Sequence, residues 1–252
     1  METRLQFAIL PQPDDFTCGP TCLQAVYAYH GHVLPLRQMI EEVPRLAEGG
    51  TLAVLLGCHA LRQGFRARLY TYDLQMFDPT WFSPGAGPLA GKLAEKLAAQ
   101  AAAKDKPKLQ TATDAYLEFL QRGGEISMED LTTGLIRNHL KRELPILTGL
   151  SATYLYRTAR EHGPNFDPDD VRGSPAGHFV VLCGYDPASR SVLVADPLKP
   201  NPLGLRQPYL VNVDRVLCAI LLGTLTYDAN LLILQPSKTQ PRRRRGDPDR
   251  GQ

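Results

Sequence analysis

Apolar positions along the chain fall in short blocks, and their spacing switches between a helical period and a strand period. Over residues 18–30 they recur at Cys22, Leu23, Val26, Tyr27 and Tyr29, the broad apolar face of an amphipathic helix. Thr17 stands where an N-cap belongs, Pro20 lies in the first turn where a missing N–H costs little, and Gly31 ends the pattern. Upstream, residues 5–10 read as a short strand, followed by the turn-rich stretch Pro11 to Asp15. Helices are predicted over 36–43 and 51–63, the second stopped by Gly64. Residues 65–72 alternate (Phe65, Ala67, Leu69, Thr71) in the manner of a half-buried strand.

Residues 84–125 differ. They are rich in Ala and Lys, and predict two helices (89–104 and 112–121) in a surface insertion rather than in the core. A helix over 128–142 then leads into a strand at 145–150, and 157–177 is a Gly/Pro/Asp loop. The last third is strand-rich: 178–185, 191–195 and 209–213, a short apolar helix at 216–222, and a strand at 230–234. No internal repeat is found. The expected architecture is α+β, with the helix at 18–30 packed on an antiparallel sheet in one domain over 1–235.

Charge changes this picture only at the end of the chain. Residues 236–252 carry six basic side chains against two acidic ones, so the tail holds +4 and the remaining body −2 of a formal total of +2. Nothing basic enough for nucleic acid remains in the body. The tail is expected to be disordered, and its run Arg242 to Arg245 is a candidate contact for an anionic partner. No apolar run approaches the roughly 20 residues of a membrane helix, and no signal peptide is seen. Five scattered cysteines do not make a disulfide framework, so a reducing compartment, the cytoplasm, is expected.

One cysteine has the setting of a nucleophile. Cys18 is the first residue of its helix, where unpaired N–H groups and the helix dipole favour a thiolate. Gly19 is expected to leave room for a substrate carbonyl, and Gln12, across a turn, can offer an amide N–H to an oxyanion. Far along the chain, His178 starts one apolar strand and Asp196 ends the next. A hairpin with a three- or five-residue loop would put the two directly opposite on one face, close enough to hold the imidazole in one tautomer. Asp14 and Asp15 are read as capping the Cys18 helix.

The segments QPDDFTCGPTCLQAVYAYHG (12–31), GHFVVLCGYD and VADP resemble the peptidases that cut double-glycine leaders from bacteriocin precursors, members of the papain-like cysteine peptidases. That family's Gln, Cys-Gly, late His and Asp-Pro match Gln12, Cys18, His178 and Asp196. The resemblance implies a papain-like fold, a catalytic triad of Cys18, His178 and Asp196, an oxyanion role for Gln12, a peptide substrate and no cofactor. It also implies a stand-alone relative, because no transporter accompanies the domain.

Other readings are weaker. Cys22, one turn beyond Cys18, is read as core packing rather than a second redox thiol. A zinc site from Cys18, Cys22, His30 and His32 lacks a second ligand pair outside the helix, so no metal is expected. His59 and His139 are expected at the surface or its boundary. Two alternatives to hydrolysis share the fold. One is an acyl transferase with the same triad, as in phytochelatin synthase; the other is a non-catalytic peptide-binding module, a class that typically lacks the cysteine present here.

Overall fold

An eight-stranded sheet, antiparallel except for one edge pair, organises the chain. The structure is a computed structural model that describes residues 2–47, 49–84, 87–104, 106–203, 207–226 and 229–237. In chain order its elements are β1 (Thr3–Arg4), α1 (Cys18–Tyr29), α2 (Leu36–Glu42), α3 (Ala53–Arg62) and β2 (Phe65–Thr71). Then come α4 (Leu89–Ala103), α5 (Pro107–Gln121), β3 (Glu125–Ser127), α6 (Thr133–Lys141), β4 (Ile146–Ser151) and α7 (Ala152–Tyr156). The chain continues through β5 (Glu161–His162), β6 (Asp167–Pro168), β7 (Gly177–Asp186), β8 (Ser191–Ala195), β9 (Tyr209–Asn212), α8 (Val213–Leu222) and β10 (Asn230–Pro236).

The sheet order is β3-β2-β10-β4-β7-β8-β9, with β1 also on β7. β7 is buried at every residue between its ends, which explains why its sequence is a continuous apolar run: helices or loops cover both faces. α1 packs on β7 through Cys22, Leu23 and Val26, all essentially unexposed. α3 lies against β2 and β10, and α8 against β4. The expected α+β architecture, with the Cys18 helix on an antiparallel sheet, is the one observed.

Several expectations are corrected. The first strand is not 5–10 but Thr3–Arg4, because the pairing available on β7 is at Tyr185 and Gly184, with Leu5 N–H donating to Cys183 O at 2.8 Å. The predicted helix over 128–142 starts only at Thr133, capped by Thr132 Oγ1, and residues 125–127 form β3 instead. The loop at 157–177 holds the small β5–β6 pair.

α4 and α5 exist, but α5 is not a surface element. Its residues Leu109, Tyr116 and Phe119 are buried, and it packs directly on α3. The approach is close: a Cβ on Gly57 of α3 would lie 2.6 Å from Phe119 Cε2. The alanines of α4 and the polar positions of α5 masked an apolar stripe on one side of each.

The hairpin register also differs from expectation. Val181 faces Ala195 and Leu182 faces Val194, then a bulge at Cys183 shifts Gly184 to Leu193. The turn that closes the hairpin spans residues 187–190, with Arg190 at φ +50°. On this register Asp196 is displaced by two residues from the position across from His178. An even displacement preserves the face of the sheet, whereas a single-residue slip would have put the two on opposite sides.

Residues 238–252, most of the expected tail, lie outside the described residues; Pro236 still pairs with Phe65. Among the described residues no helix is long and apolar enough to cross a membrane.

Candidate active site

Cys18 opens α1 and is buried, 8% exposed. Thr17 is the N-cap residue, as its position in the sequence suggests, but its side chain makes no capping bond to the helix. Its hydroxyl donates back to Asp14 O at 3.1 Å, and Asp14 Oδ1 accepts from Phe16 N–H at 2.9 Å. Asp14 therefore shapes the turn before the helix and does not cap it. The outcome is chemically useful, since no side chain claims the first-turn N–H groups beside the thiol.

Packing gives a reason of its own for Gly19: a Cβ there would lie 2.6 Å from Thr51 Cγ2 and 3.3 Å from Phe179 Cδ2, so glycine lets α1 seat on its neighbours.

His178, at the start of β7, is 6% exposed. Its Nε2 is 2.9 Å from Asp196 Oδ1, and Cys18 is close enough to act on the ring's titration. Burial alone would lower its pKa, but the hydrogen bonds and charges of Asp196 and Cys18 raise it from 6.5 to about 10. At neutral pH the ring is an imidazolium.

Asp196 is 1% exposed, and burial would push its carboxyl up. The His178 partner and two tyrosine hydroxyls outweigh that and hold it at about 2. Oδ1 accepts from His178 and from Leu198 N–H at 3.0 Å. Oδ2 accepts from Tyr156 Oη at 2.7 Å, Tyr209 Oη at 2.6 Å and Asn201 Nδ2 at 3.0 Å. The carboxylate cannot turn without breaking several charge-assisted bonds, so Oδ1 stays aimed at the imidazole.

Tyr156, Tyr209 and Asn201 were not singled out in the sequence. Tyr209 faces Val194 across the β8–β9 ladder, and a buried tyrosine hydroxyl needs an acceptor. That need was the available signal, but pairing it with Asp196 required the register.

Gln12 lies close to this cluster through its backbone, its N–H donating to Pro197 O at 2.9 Å. Its Nε2 donates to Asp14 O at 2.9 Å, while Oε1 is buried without a partner. One amide N–H remains unspent. The structure therefore brings Cys18, His178 and Asp196 together and leaves Gln12 beside them, bonded to the preceding turn.

Cys22 is fully buried, and its Sγ donates to Phe179 O at 3.2 Å. Burial, then the neighbouring Cys18 and Asp196, pushes its thiol well above the ordinary value, which makes it inert packing. Phe16, two residues before Cys18, meets Phe166 of the β5–β6 turn edge-on at 5.9 Å, so that turn lies beside the entrance to the helix.

His59 and His139, expected near the surface, are both buried. His59 Nδ1 bonds Tyr27 Oη and its Nε2 bonds Glu42 Oε2, each at 2.9 Å, an internal brace between α1, α2 and α3. Among the described residues no group of three or more His, Cys, Asp or Glu is placed to hold a metal ion.

Solved structures similar to this chain include the following three. A double-glycine motif protease from an AMS/PCAT transporter, solved with its leader peptide, shares 14% identity at a TM-score of 0.44, covering 94% of this chain and 99% of that one. The peptidase domain of Streptococcus ComA, a bifunctional ABC transporter of a quorum-sensing pathway, shares 14% at 0.42, covering 92% and 100%. A putative C39-like peptidase from Bacillus anthracis shares 17% at 0.44, covering 94% and 100%. No curated protein sequence matches significantly. The family match is of another kind, for it spans residues 4–213 and so contains α1, β7 and β8 with all four predicted site residues. By that match the chain belongs to the Peptidase_C39 like family, and it is a cysteine-peptidase-like hydrolase of α+β fold.

Proposed function

We propose that the protein cleaves a peptide or related amide bond through an acyl-thioester on Cys18. The observation that carries this reading is His178, buried, bonded to Asp196 and acted on by the neighbouring Cys18. With the Cys18 proton already held on His178 as the imidazolium, Cys18 Sγ attacks the scissile carbonyl carbon as the thiolate. The negative charge on the carbonyl oxygen is met by the uncapped N–H groups at the start of α1 and by the spare N–H of Gln12. Collapse of that intermediate breaks the C–N bond, and the imidazolium gives its proton to the leaving amine. Water, deprotonated by His178, then attacks the thioester and restores the thiol.

Asp196 keeps its charge throughout, orienting the ring and stabilising the imidazolium. Its three donors on Oδ2 hold it in that role. Five free cysteines, four of them buried, fit work in a reducing compartment.

The test is a peptide library incubated with the protein and read by mass spectrometry. A covalent acyl adduct on Cys18, absent in Cys18→Ser, supports the reading; cleavage that survives Cys18→Ser contradicts it. Product analysis with and without an added amine distinguishes water from an amine as acyl acceptor.

A further inference from the structure

At the opposite end of the sheet from Cys18 there is a second site, built from different residues. His178 pairs with Leu150 near the end of β4, whereas Ile233 of β10 pairs with Ile146 at its start. Four residues of strand put about 14 Å between these levels. At the Ile233 level a cavity of ≈ 260 Å³ is lined by Arg66, Arg68, Glu125, His139, Arg142 and Gln235, among others.

Its charge is unbalanced. Three guanidinium groups face one carboxylate, and that carboxylate is already engaged, Glu125 Oε2 accepting from Arg68 Nε at 2.8 Å. Among the described residues Arg66 donates to a neutral acceptor alone, Gln235 Oε1, at 2.7 Å. Arg142 has no ion-pair partner among the described residues. Two positive charges are thus left over on side chains that share one concavity.

An independent feature points the same way. His139 is 5% exposed, its Nε2 sits 3.2 Å from Tyr70 Oη, and its Nδ1 is buried without a partner. Burial, then Arg142 and Arg68, holds this imidazole down at about 4, so it is neutral at physiological pH. When Tyr70 donates to Nε2, the ring proton sits on Nδ1 and needs an acceptor. A buried donor left unsatisfied is costly, and the residue that carries it lines the cavity.

We propose that this cavity binds a dianionic phosphate group, free or as a small phosphate monoester, held by Arg66, Arg68 and Arg142 with His139 Nδ1–H as a fourth donor. Guanidinium groups match the paired oxygens of phosphate, and a dianion neutralises the surplus of two charges.

Binding is measured by titration calorimetry of the full chain with inorganic phosphate, and separately with glycerol phosphate, against chloride at equal ionic strength. Saturable one-to-one binding is expected, weakened by at least about tenfold in Arg142→Gln and in Arg66→Gln. Both side chains are exposed, so the variants should fold, which an unchanged Cys18 alkylation rate would verify. The His139 ring signals should shift on phosphate addition. Binding of both probes, or of inorganic phosphate alone, supports the site and distinguishes an open cavity from one closed around four oxygens. No binding at millimolar phosphate overturns it. So does equal affinity in both variants, which would place the phosphate elsewhere, or a His139 signal that does not move.

Discussion

Five hydrogen-bond donors converge on Asp196, two on Oδ1 and three on Oδ2. An asparagine there must turn an NH₂ toward one of those groups. Papain-like enzymes often use Asn as the orienting residue, but this pocket is built for a carboxylate. Asp196→Asn should therefore reduce kcat/KM by on the order of 10²-fold or more, with Asp196→Ala more severe still. Steady-state kinetics on any cleaved peptide would check the order. Gln12→Ala should lower kcat by about 10²-fold, whereas an unchanged kcat with a raised KM would make it a binding residue. The same cluster predicts a pH dependence of stability. His178 is raised from 6.5, so its contribution is complete below 6.5 and is lost as the pH climbs through about 10. Asp196 is lowered from 3.8, so its contribution is complete above 3.8 and is lost as the pH falls through about 2. The melting-temperature gap between wild type and His178→Ala should be widest between these inner limits and narrow on either side. A gap independent of pH would contradict the paired charges. At this scale the motif residues Cys18, His178 and Asp196 were legible because each stands at the end of a patterned element. The tyrosines that hold Asp196 were not, because their role depends on contacts with no local signature.

Elements were readable where period and stop signals agreed. α1, α3 and β7 were found nearly end to end, since each joins a clear apolar pattern to a Gly or turn boundary. The failures share a physical cause: tertiary partners decided them. Residues 5–10 have a strand-like pattern but only Thr3 and Arg4 find a paired edge on β7. The β7–β8 register depends on a bulge at Cys183 that no residue type announces. α5 reads as a surface helix from its sequence because polar positions such as Gln110, Thr111, Asp114 and Glu118 interrupt the stripe of Leu109, Tyr116 and Phe119. That last correction is testable. Phe119→Ala should destabilise the protein by about 3–5 kcal/mol in denaturant melts, as for a large core side chain, while a cost below about 1 kcal/mol would return α5 to the surface. Cys22→Ala removes one buried sulfur and should cost far less, leaving most activity intact.

Over the whole molecule, the two proposed sites lie at opposite ends of the sheet. The end bearing Gly177 and Ser151 carries His178, Asp196 and the start of α1; the end bearing Ile146 and Ile233 carries the arginine-lined cavity. β10 closes the middle of the sheet and remains paired through Pro236. Removal of residues 238–252 should therefore leave the melting temperature and the turnover of a small substrate unchanged, whereas a cut before Asn230 should abolish folding by opening the sheet between β2 and β4. The central claim is that Cys18 and His178 act as one unit. The rate of Cys18 alkylation against pH, in wild type and in His178→Ala, tests it most directly. Rapid alkylation at neutral pH is expected in the wild type, and in the variant a profile displaced to higher pH, because the imidazolium that stabilises the thiolate is gone. Superimposable profiles would mean that the two residues are not partners, and the proposed chemistry would fail with them.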